Sequence, residues 1–259
     1  MPLPYPTEDE LVNTLRRSSL PTVLVEGKED MPIFRWVEER LGSRKASVQA
    51  AGDKNKLLSV FNRRREFPDL PVAFVADKDM WLFSGIPSGY NHVIWTEGYS
   101  IENDLYVDAE LEELLDPKET LEHQQLLDTI AEWFAFEVEE YLACKYFRIA
   151  HHCNRVVPCG QTQMDESFRR ARGFRSPSRE IHRQVREAYQ LQLRGKLLFQ
   201  MLIRYLSAPD RQRKYSYSDL YDKAFGMTPP HPLRDRLVER IEKTIAEQKV
   251  AIQNVRESQ

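Results

Sequence analysis

Four short apolar runs, separated by stretches of helical periodicity, constrain most strongly what the first part of this chain can fold into. Residues 21–25 (PTVLV), bounded by Pro21 and by Glu26-Gly27, read as a buried strand. Residues 46–50 (ASVQA), 71–76 (PVAFVA) and 92–96 (HVIWT) read the same way. Between the first two, Met31, Ile33, Phe34, Val37 and Leu41 recur at near-helical spacing and stop at Gly42, a residue suited to ending a helix. Leu57, Leu58 and Phe61 mark a second helix after the Gly52-Asp53 turn. Strand, helix, strand, helix, strand implies parallel βαβ crossovers and a doubly wound α/β sheet. A short helix over about 7–18 precedes the sheet. Thr7 and Glu10 have capping-box spacing there, and Leu11, Val12 and Leu15 form its apolar side.

Past about residue 117 the pattern becomes helical. Ser100 can cap a short helix through IENDLYVDAELEELL, and longer helical stretches follow over 119–147, 177–206 and 231–254. The last is opened by His231-Pro232 and carries Leu237, Ile241, Ile245 and Val250. The expected division is an α/β domain over 1–117 and a helical region over 118–259 for substrate, dimer or partner contacts. The chain is 41% hydrophobic and 30% charged, which excludes a disordered or membrane-embedded protein. No apolar run reaches the roughly 18 residues of a membrane helix, and MPLPYPTEDE lacks the features of a secretory signal. Three cysteines, Cys144, Cys153 and Cys159, suit free thiols in a reducing compartment, so the expected location is the cytoplasm.

The chemistry concentrates where the strands end. The first ends in Glu26-Gly27 with Asp30 four residues on, the third in Asp77-Lys78-Asp79, and the fourth leads into Glu97 and Ser100-Ile101-Glu102-Asn103-Asp104. A parallel sheet projects all these ends to one edge, where ligand sites of such sheets lie. Several like charges at one edge are costly without a counter-ion, and hard divalent cations take oxygen ligands. In extended backbone, positions i and i+2 face the same way, which would let Asp77 and Asp79 reach one metal zone. Taken singly, an E-G turn or a D-x-D loop is ordinary surface; the two in order, each after a strand, point to a shared metal site.

Strand–Glu26-Gly27 followed by strand–Asp77-x-Asp79 resembles the Toprim signature of topoisomerases, bacterial primases and OLD-type nucleases. VEGKED and TEGYSIEND are similar to the OLD-like branch, and most of all to the small AriB-type Toprim effectors of PARIS anti-phage defence systems. The motifs cover about residues 20–110; beyond them the resemblance rests on weaker cues such as Arg194-Gly195-Lys196. It implies a Toprim-like parallel sheet flanked by helices, with a helical C-terminal region. It also implies Glu26 as metal ligand or general base, Asp77 and Asp79 as metal ligands, Asp30 and Glu102 completing a second metal position, and Mg²⁺ (or Mn²⁺) as cofactor. Lys196 would offset charge on the cleaved phosphate. Parts needed by other Toprim chemistries, a zinc-binding cysteine cluster or tyrosine-bearing domains, are lacking, which leaves nuclease chemistry. Effectors of this type are toxins held inactive by an ABC/AAA-like ATPase partner. Once released they form homodimers and cleave transfer RNA to arrest translation. The expectation is a hydrolase, a metal-dependent endoribonuclease; the alternatives are an OLD-like DNA endonuclease on the same site and a non-catalytic module whose acidic edge docks on a partner.

A net charge of -3 does not mark a nucleic-acid binder, so distribution matters more. Arg169, Arg170, Arg172 and Arg175, continued by Arg179, Arg183, Arg186 and Arg194 and interleaved with Phe174, His182 and Tyr189, form a basic segment suited to a nucleic-acid backbone and unstacked bases. The alternative for it is a solvated helix or a salt-bridged surface. Lys54, Lys56 and Lys78, in loops at the same sheet edge, are candidates for holding phosphates, and Lys28 reads as exposed. His151, His152, Cys153 and Cys159 do not have a standard zinc-ligand spacing and read as a packed turn. Trp133, Phe134, Phe136, Tyr141, Tyr146 and Phe147 read as helical core or a dimer surface. No G-x-x-x-x-G-K-[ST] occurs, which excludes ATP hydrolysis by a P-loop.

Overall fold

The computed structural model of the chain describes residues 5–27, 31–42, 46–144, 150–226 and 230–258. In chain order its first elements are α1 (Glu8–Arg17), β1 (Thr22–Val25), α2 (Met31–Leu41), β2 (Ser47–Ala50), α3 (Lys54–Asn62), β3 (Val72–Ala76), α4 (Trp81–Ser84), β4 (Ile94–Trp95) and α5 (Ile101–Asp108). The helical remainder comprises α6 (Pro117–Leu142), α7 (Cys153–Val156), α8 (Glu166–Arg172), α9 (Arg179–Glu187), α10 (Tyr189–Gln192), α11 (Gly195–Leu206), α12 (Tyr217–Gly226) and α13 (Pro232–Glu257).

The apolar runs form one parallel sheet in the order β2-β1-β3-β4. Thr22 stands opposite Ser47 on one side and Val72 on the other, and Val75 stands opposite Ile94. β1 and β3 are buried along their whole length. Central parallel strands covered on both faces need this, and it is why they read as unbroken apolar runs. From β1 to β2 the chain steps one way, and from β2 to β3 it steps back past β1. Right-handed crossovers therefore put α2 and α3 on opposite faces. The packing agrees: α1 lies against α3, and α13 against α2. α1 begins with the expected reciprocal cap, in which the Thr7 N–H donates to Glu10 Oε2 (2.7 Å) and the Glu10 N–H to Thr7 Oγ1 (3.2 Å).

Two boundaries differ from the sequence reading for local reasons. The short helix opened by Ser100 stops at Asp108, because Glu110 takes left-handed backbone (φ 46°) and a 3-10 turn over Leu111–Leu114 follows. The helical stretch expected over 177–206 is three helices, α9, α10 and α11. Only Val185 of α9 is buried, so little apolar packing favours continuing it as one rod. No described helix is long and apolar enough to cross a membrane.

The chain divides into two compact units, though not at residue 117. A sheet unit comprises Met1–Asp77, Ile86–Thr96 and Pro232–Gln259, and a helical unit comprises Lys78–Gly85 and Glu97–His231. The last helix therefore belongs to the sheet unit. Its amphipathic stripe explains this: Leu233, Leu237, Ile241 and Ile245 are buried. One turn further on, Gln248 takes over a role that a strand would ordinarily fill. β4 is too short to pair with the start of β3, so the outer edge of β3 at Val72 lacks a strand partner. The Val72 N–H donates to Gln248 Oε1 (2.7 Å) and Gln248 Nε2 donates to the Val72 carbonyl (3.0 Å). A side-chain amide thus copies the donor and acceptor of a peptide group, satisfying two main-chain groups of a buried residue.

In the helical unit, His123 of α6 is fully buried, and neither ring nitrogen has a hydrogen-bond partner. Burial holds its pKa below the ordinary histidine value; Glu112 pulls it up and Arg186 pushes it down, both less strongly. The native ring therefore stays neutral where the unfolded chain takes up a proton. His123 contributes stability that is present above the unfolded value of 6.5 and lost as pH falls through it. Replacing His123→Leu should flatten the loss of stability between neutral and mildly acid pH by up to about 1.4 kcal/mol per pH unit. Urea denaturation at several pH values checks this.

Candidate active site at the carboxyl ends of the strands

The strand order reverses between β1 and β3, the switch point at which open α/β sheets take their ligands. Two expected acidic residues stand there, on neighbouring strands. Glu26 follows the end of β1 and Asp77 the end of β3, and the Asp77 N–H donates to Glu26 Oε1 at 2.7 Å. The bond fixes the direction of the Glu26 carboxylate using the main chain of the neighbouring strand. On its other side the Glu26 carbonyl accepts from the Gly52 N–H (2.6 Å), which extends β1–β2 pairing past the strand ends. Gly52 has φ +119°, and a Cβ there would stand 3.1 Å from the Tyr5 ring, so turn conformation and close packing both call for glycine. Asp53 then caps α3 by accepting from the Lys56 N–H (2.9 Å).

The lysines expected at this edge have local partners. Lys56 Nζ donates to the Pro6 carbonyl (2.9 Å), and the Lys54 ammonium lies 5.5 Å from the centre of the Trp95 ring. Lys28 and Asp30 lie outside the described residues.

The helical unit contributes the rest of the expected set. Asp79 is half-buried and takes left-handed backbone, φ 48°, uncommon for any residue but glycine and least so for Asp and Asn. The chain has left extended conformation there, so the two-residue strand repeat invoked for the D-x-D spacing does not apply. The Asp79 N–H donates to the Tyr99 carbonyl (2.7 Å) and Lys78 Nζ to the Glu97 carbonyl (2.8 Å). Both bonds hold the D-x-D segment to the turn before α5.

That turn is built by Ser100, Asn103 and Asp104; the sequence marks Ser100 as a cap and gives Asn103 and Asp104 no structural role of their own. The Asn103 side-chain oxygen accepts from the Ser100 N–H (2.9 Å) and hydroxyl (3.1 Å). Its amide nitrogen donates to the carbonyls of Gln190 (2.7 Å) and Leu193 (2.8 Å). One buried amide therefore joins the start of α5 to the turn that leads into α11. Asp104 accepts from the N–H groups of Glu97 (3.1 Å) and Gly98 (2.9 Å); burial pushes its carboxyl up to about 6 even though these bonds pull it down. Glu102, on the same turn, is 5% exposed. Gly195 opens α11 against this surface, and a Cβ on it would fall 2.5 Å from Ser100 Oγ and 2.7 Å from Glu102 Cβ. Lys196, half-buried, follows in the first turn of α11. The Ser100-x-x-Asn103 spacing is a visible cap signal; the close approach at Gly195 has no signal in the sequence.

Much of the basic segment is engaged with acidic residues. Arg172 makes three hydrogen bonds to Glu137 at 2.6–3.0 Å, and Glu137 is 0% exposed. Arg175 pairs with Glu139 (2.6 Å) and Glu140 (3.3 Å). Arg169 lies 3.6 Å from Glu166 and stacks on Phe174, and Arg170 Nε donates to the Glu166 carbonyl. In the His-Cys turn, His152 caps α7 by accepting from the Asn154 N–H.

Carboxylate oxygens without sulfur or imidazole suit a hard divalent cation. Glu26 and Asp77 supply such donors on adjacent strands. Among the described residues, no group of three or more His, Cys, Asp or Glu side chains is gathered closely enough to hold a metal ion. No protein-family model and no curated protein matches the chain.

Two outcomes follow. Arg172→Ala should destabilise the protein by about 3–5 kcal/mol by leaving Glu137 buried and unpaired, whereas Arg175→Ala, at a half-exposed pair, should cost no more than about 1 kcal/mol. Gly195→Ala should cost about 1–3 kcal/mol through overpacking against Ser100 and Glu102. Chemical denaturation of the three variants measures each.

Proposed function

We propose that the chain is a metal-dependent endonuclease of Toprim type, acting on RNA and on transfer RNA in particular. The observation that carries this reading is the Glu26 carboxylate bonded to the Asp77 N–H at the switch point of a parallel sheet. The placement matches the acid-after-strand pattern that the sequence shares with Toprim nucleases. The choice of transfer RNA, the role in anti-phage defence, the inhibitory ATPase partner, the active homodimer and the cytoplasmic location all rest on that resemblance.

A bound divalent cation would neutralise charge on the phosphodiester and lower the pKa of an attacking water. Glu26 and Asp77, both in the sheet unit, would hold it; Asp79 as a further ligand, and Glu102 and Asp30 for a second position, are what the resemblance adds. The resemblance gives Glu26 the alternative role of general base, taking the proton as water attacks phosphorus, and the Asp77 N–H sets the direction of its carboxylate. The new P–O bond forms, the bond to the leaving oxygen breaks, and that oxygen takes up a proton. Lys196 supplies positive charge as negative charge builds on the phosphate. The exposed Arg169 and Arg170 are candidates for backbone contacts. Arg172 and Arg175 contribute there only insofar as their carboxylate partners share them.

Purified protein with Mg²⁺ or Mn²⁺ should cut total cellular RNA into discrete transfer-RNA fragments. Glu26→Ala should lose at least about a thousandfold in rate, as expected for removal of a group acting in the transition state, with its melting temperature retained. Cleavage of DNA alone would redirect the assignment to a DNA endonuclease on the same carboxylates. Undiminished cleavage by Glu26→Ala would refute the site.

A further inference from the structure

The sheet unit contains a groove of about 640 Å³ away from the strand ends that carry Glu26 and Asp77, neither of which lines it. It runs along the edge of β3 that the two-residue β4 does not cover, outside the Gln248 amide that closes Val72. α13 closes one side and the segment after α3 the other. The volume lies within the range of small-ligand sites, about 300–1,000 Å³.

The lining is divided by chemistry. Phe61, Phe67, Val72, Phe74 and Ile94 lie sealed beneath the groove, with Phe61 and Phe74 packed edge to face at 5.2 Å between centroids, and Pro68, Ala251 and Ile252 are the apolar groups that reach its surface. The polar lining is cationic in balance: Arg64, Arg240 and Lys243 face Glu247 alone among carboxylates, on a protein whose total charge is -3. Arg64 lies over the Phe61 ring (4.3 Å) and is anchored to the Phe61 carbonyl, and Arg240 donates to the Trp95 carbonyl, so both guanidinium groups are held in place. Lys243 is 3.9 Å from Glu247 and exposed, a pairing that an entering anion can replace. The Asn91 amide and the Thr244 hydroxyl supply donors and acceptors between floor and rim.

A flat apolar body, a polar edge and an anionic group would each find their complement here. We propose that this groove binds a mononucleotide, with the base against the apolar wall of Pro68 and Ile252, its edge towards Asn91 and Thr244 and its phosphate at Arg64 and Lys243. The proposal does not depend on the nuclease reading, because it involves none of the carboxylates of the candidate active site.

The test is isothermal titration of the full chain with AMP, GMP, CMP and UMP in EDTA, which removes any contribution from metal at the strand ends. At least one of the four should bind, and its nucleoside and inorganic phosphate should each bind at least about tenfold more weakly, as loss of a charge-assisted contact or of the stacked base implies. The Arg64→Glu/Lys243→Glu double variant should weaken binding by a similar factor. Ala251→Trp, which fills the groove from the exposed face of α13 and leaves its charges intact, should weaken it as well. Melting temperatures without nucleotide confirm that both variants fold, and Glu26→Ala should bind as the parent does. Absence of binding by all four nucleotides overturns the proposal. So does binding that survives both groove variants, or binding that is lost in Glu26→Ala.

Discussion

A reversal of strand order about β1 organises the sheet unit. The chain builds outward to β2, returns past β1 to β3 and ends at β4, so it leaves β1 and β3 in opposite directions. The main-chain groups beyond β1 and β3 thus meet without a helix crossing between them. At that opening a peptide N–H and a carboxylate can bond directly, as Asp77 and Glu26 do. Placing an acidic group there has an electrostatic cost, which the N–H bond partly offsets and which a cation would offset further.

Charge in the helical unit is used mainly for construction. The guanidinium groups of Arg172, Arg175 and Arg186 fasten the segment after α7 and the helix α9 to α6 through Glu137, Glu139 and Asp128. Arg204 does similar work without a carboxylate, donating to the carbonyls of Val157, Pro158 and Gln161. These contacts bridge irregular segments that bury few apolar side chains. They show how a run that looks like a basic field in the sequence carries a smaller field in the fold, since Arg169, Arg172, Arg175 and Arg186 have carboxylates within a few ångströms.

The sheet was legible because each of its signals is local. The apolar runs, the Thr7-Glu10 cap, the Gly42 stop and the Gly52-Asp53 turn depend on residues a few positions apart, and the strands and first helices stand within a few residues of where those signals place them. The acids at the strand ends were legible for the same reason. What the sequence did not disclose depends on long separations: Asn103 with Gln190 and Leu193, Gly195 with Ser100, Gln248 with Val72. An asparagine buried with all its hydrogen-bonding capacity used looks, in sequence, like any turn asparagine. A left-handed Asp79 looks like a continuing strand. The stripe on α13 likewise says that the helix packs but not on what, so its place in the sheet unit is not legible in the sequence.

The Gln248 amide also bears on how the protein is made. The residues it joins are separated by 176 positions, so the strand edge at Val72 stays unsealed until residue 248 has left the ribosome. An open edge on a buried apolar strand is a template for pairing with another chain. The nascent protein must therefore carry that hazard through synthesis of the entire helical unit. A chain truncated before α13 would keep its strands and lose the amide that closes the β3 edge at Val72. Quality control, rather than catalysis, would then be the first process to register the loss of that helix.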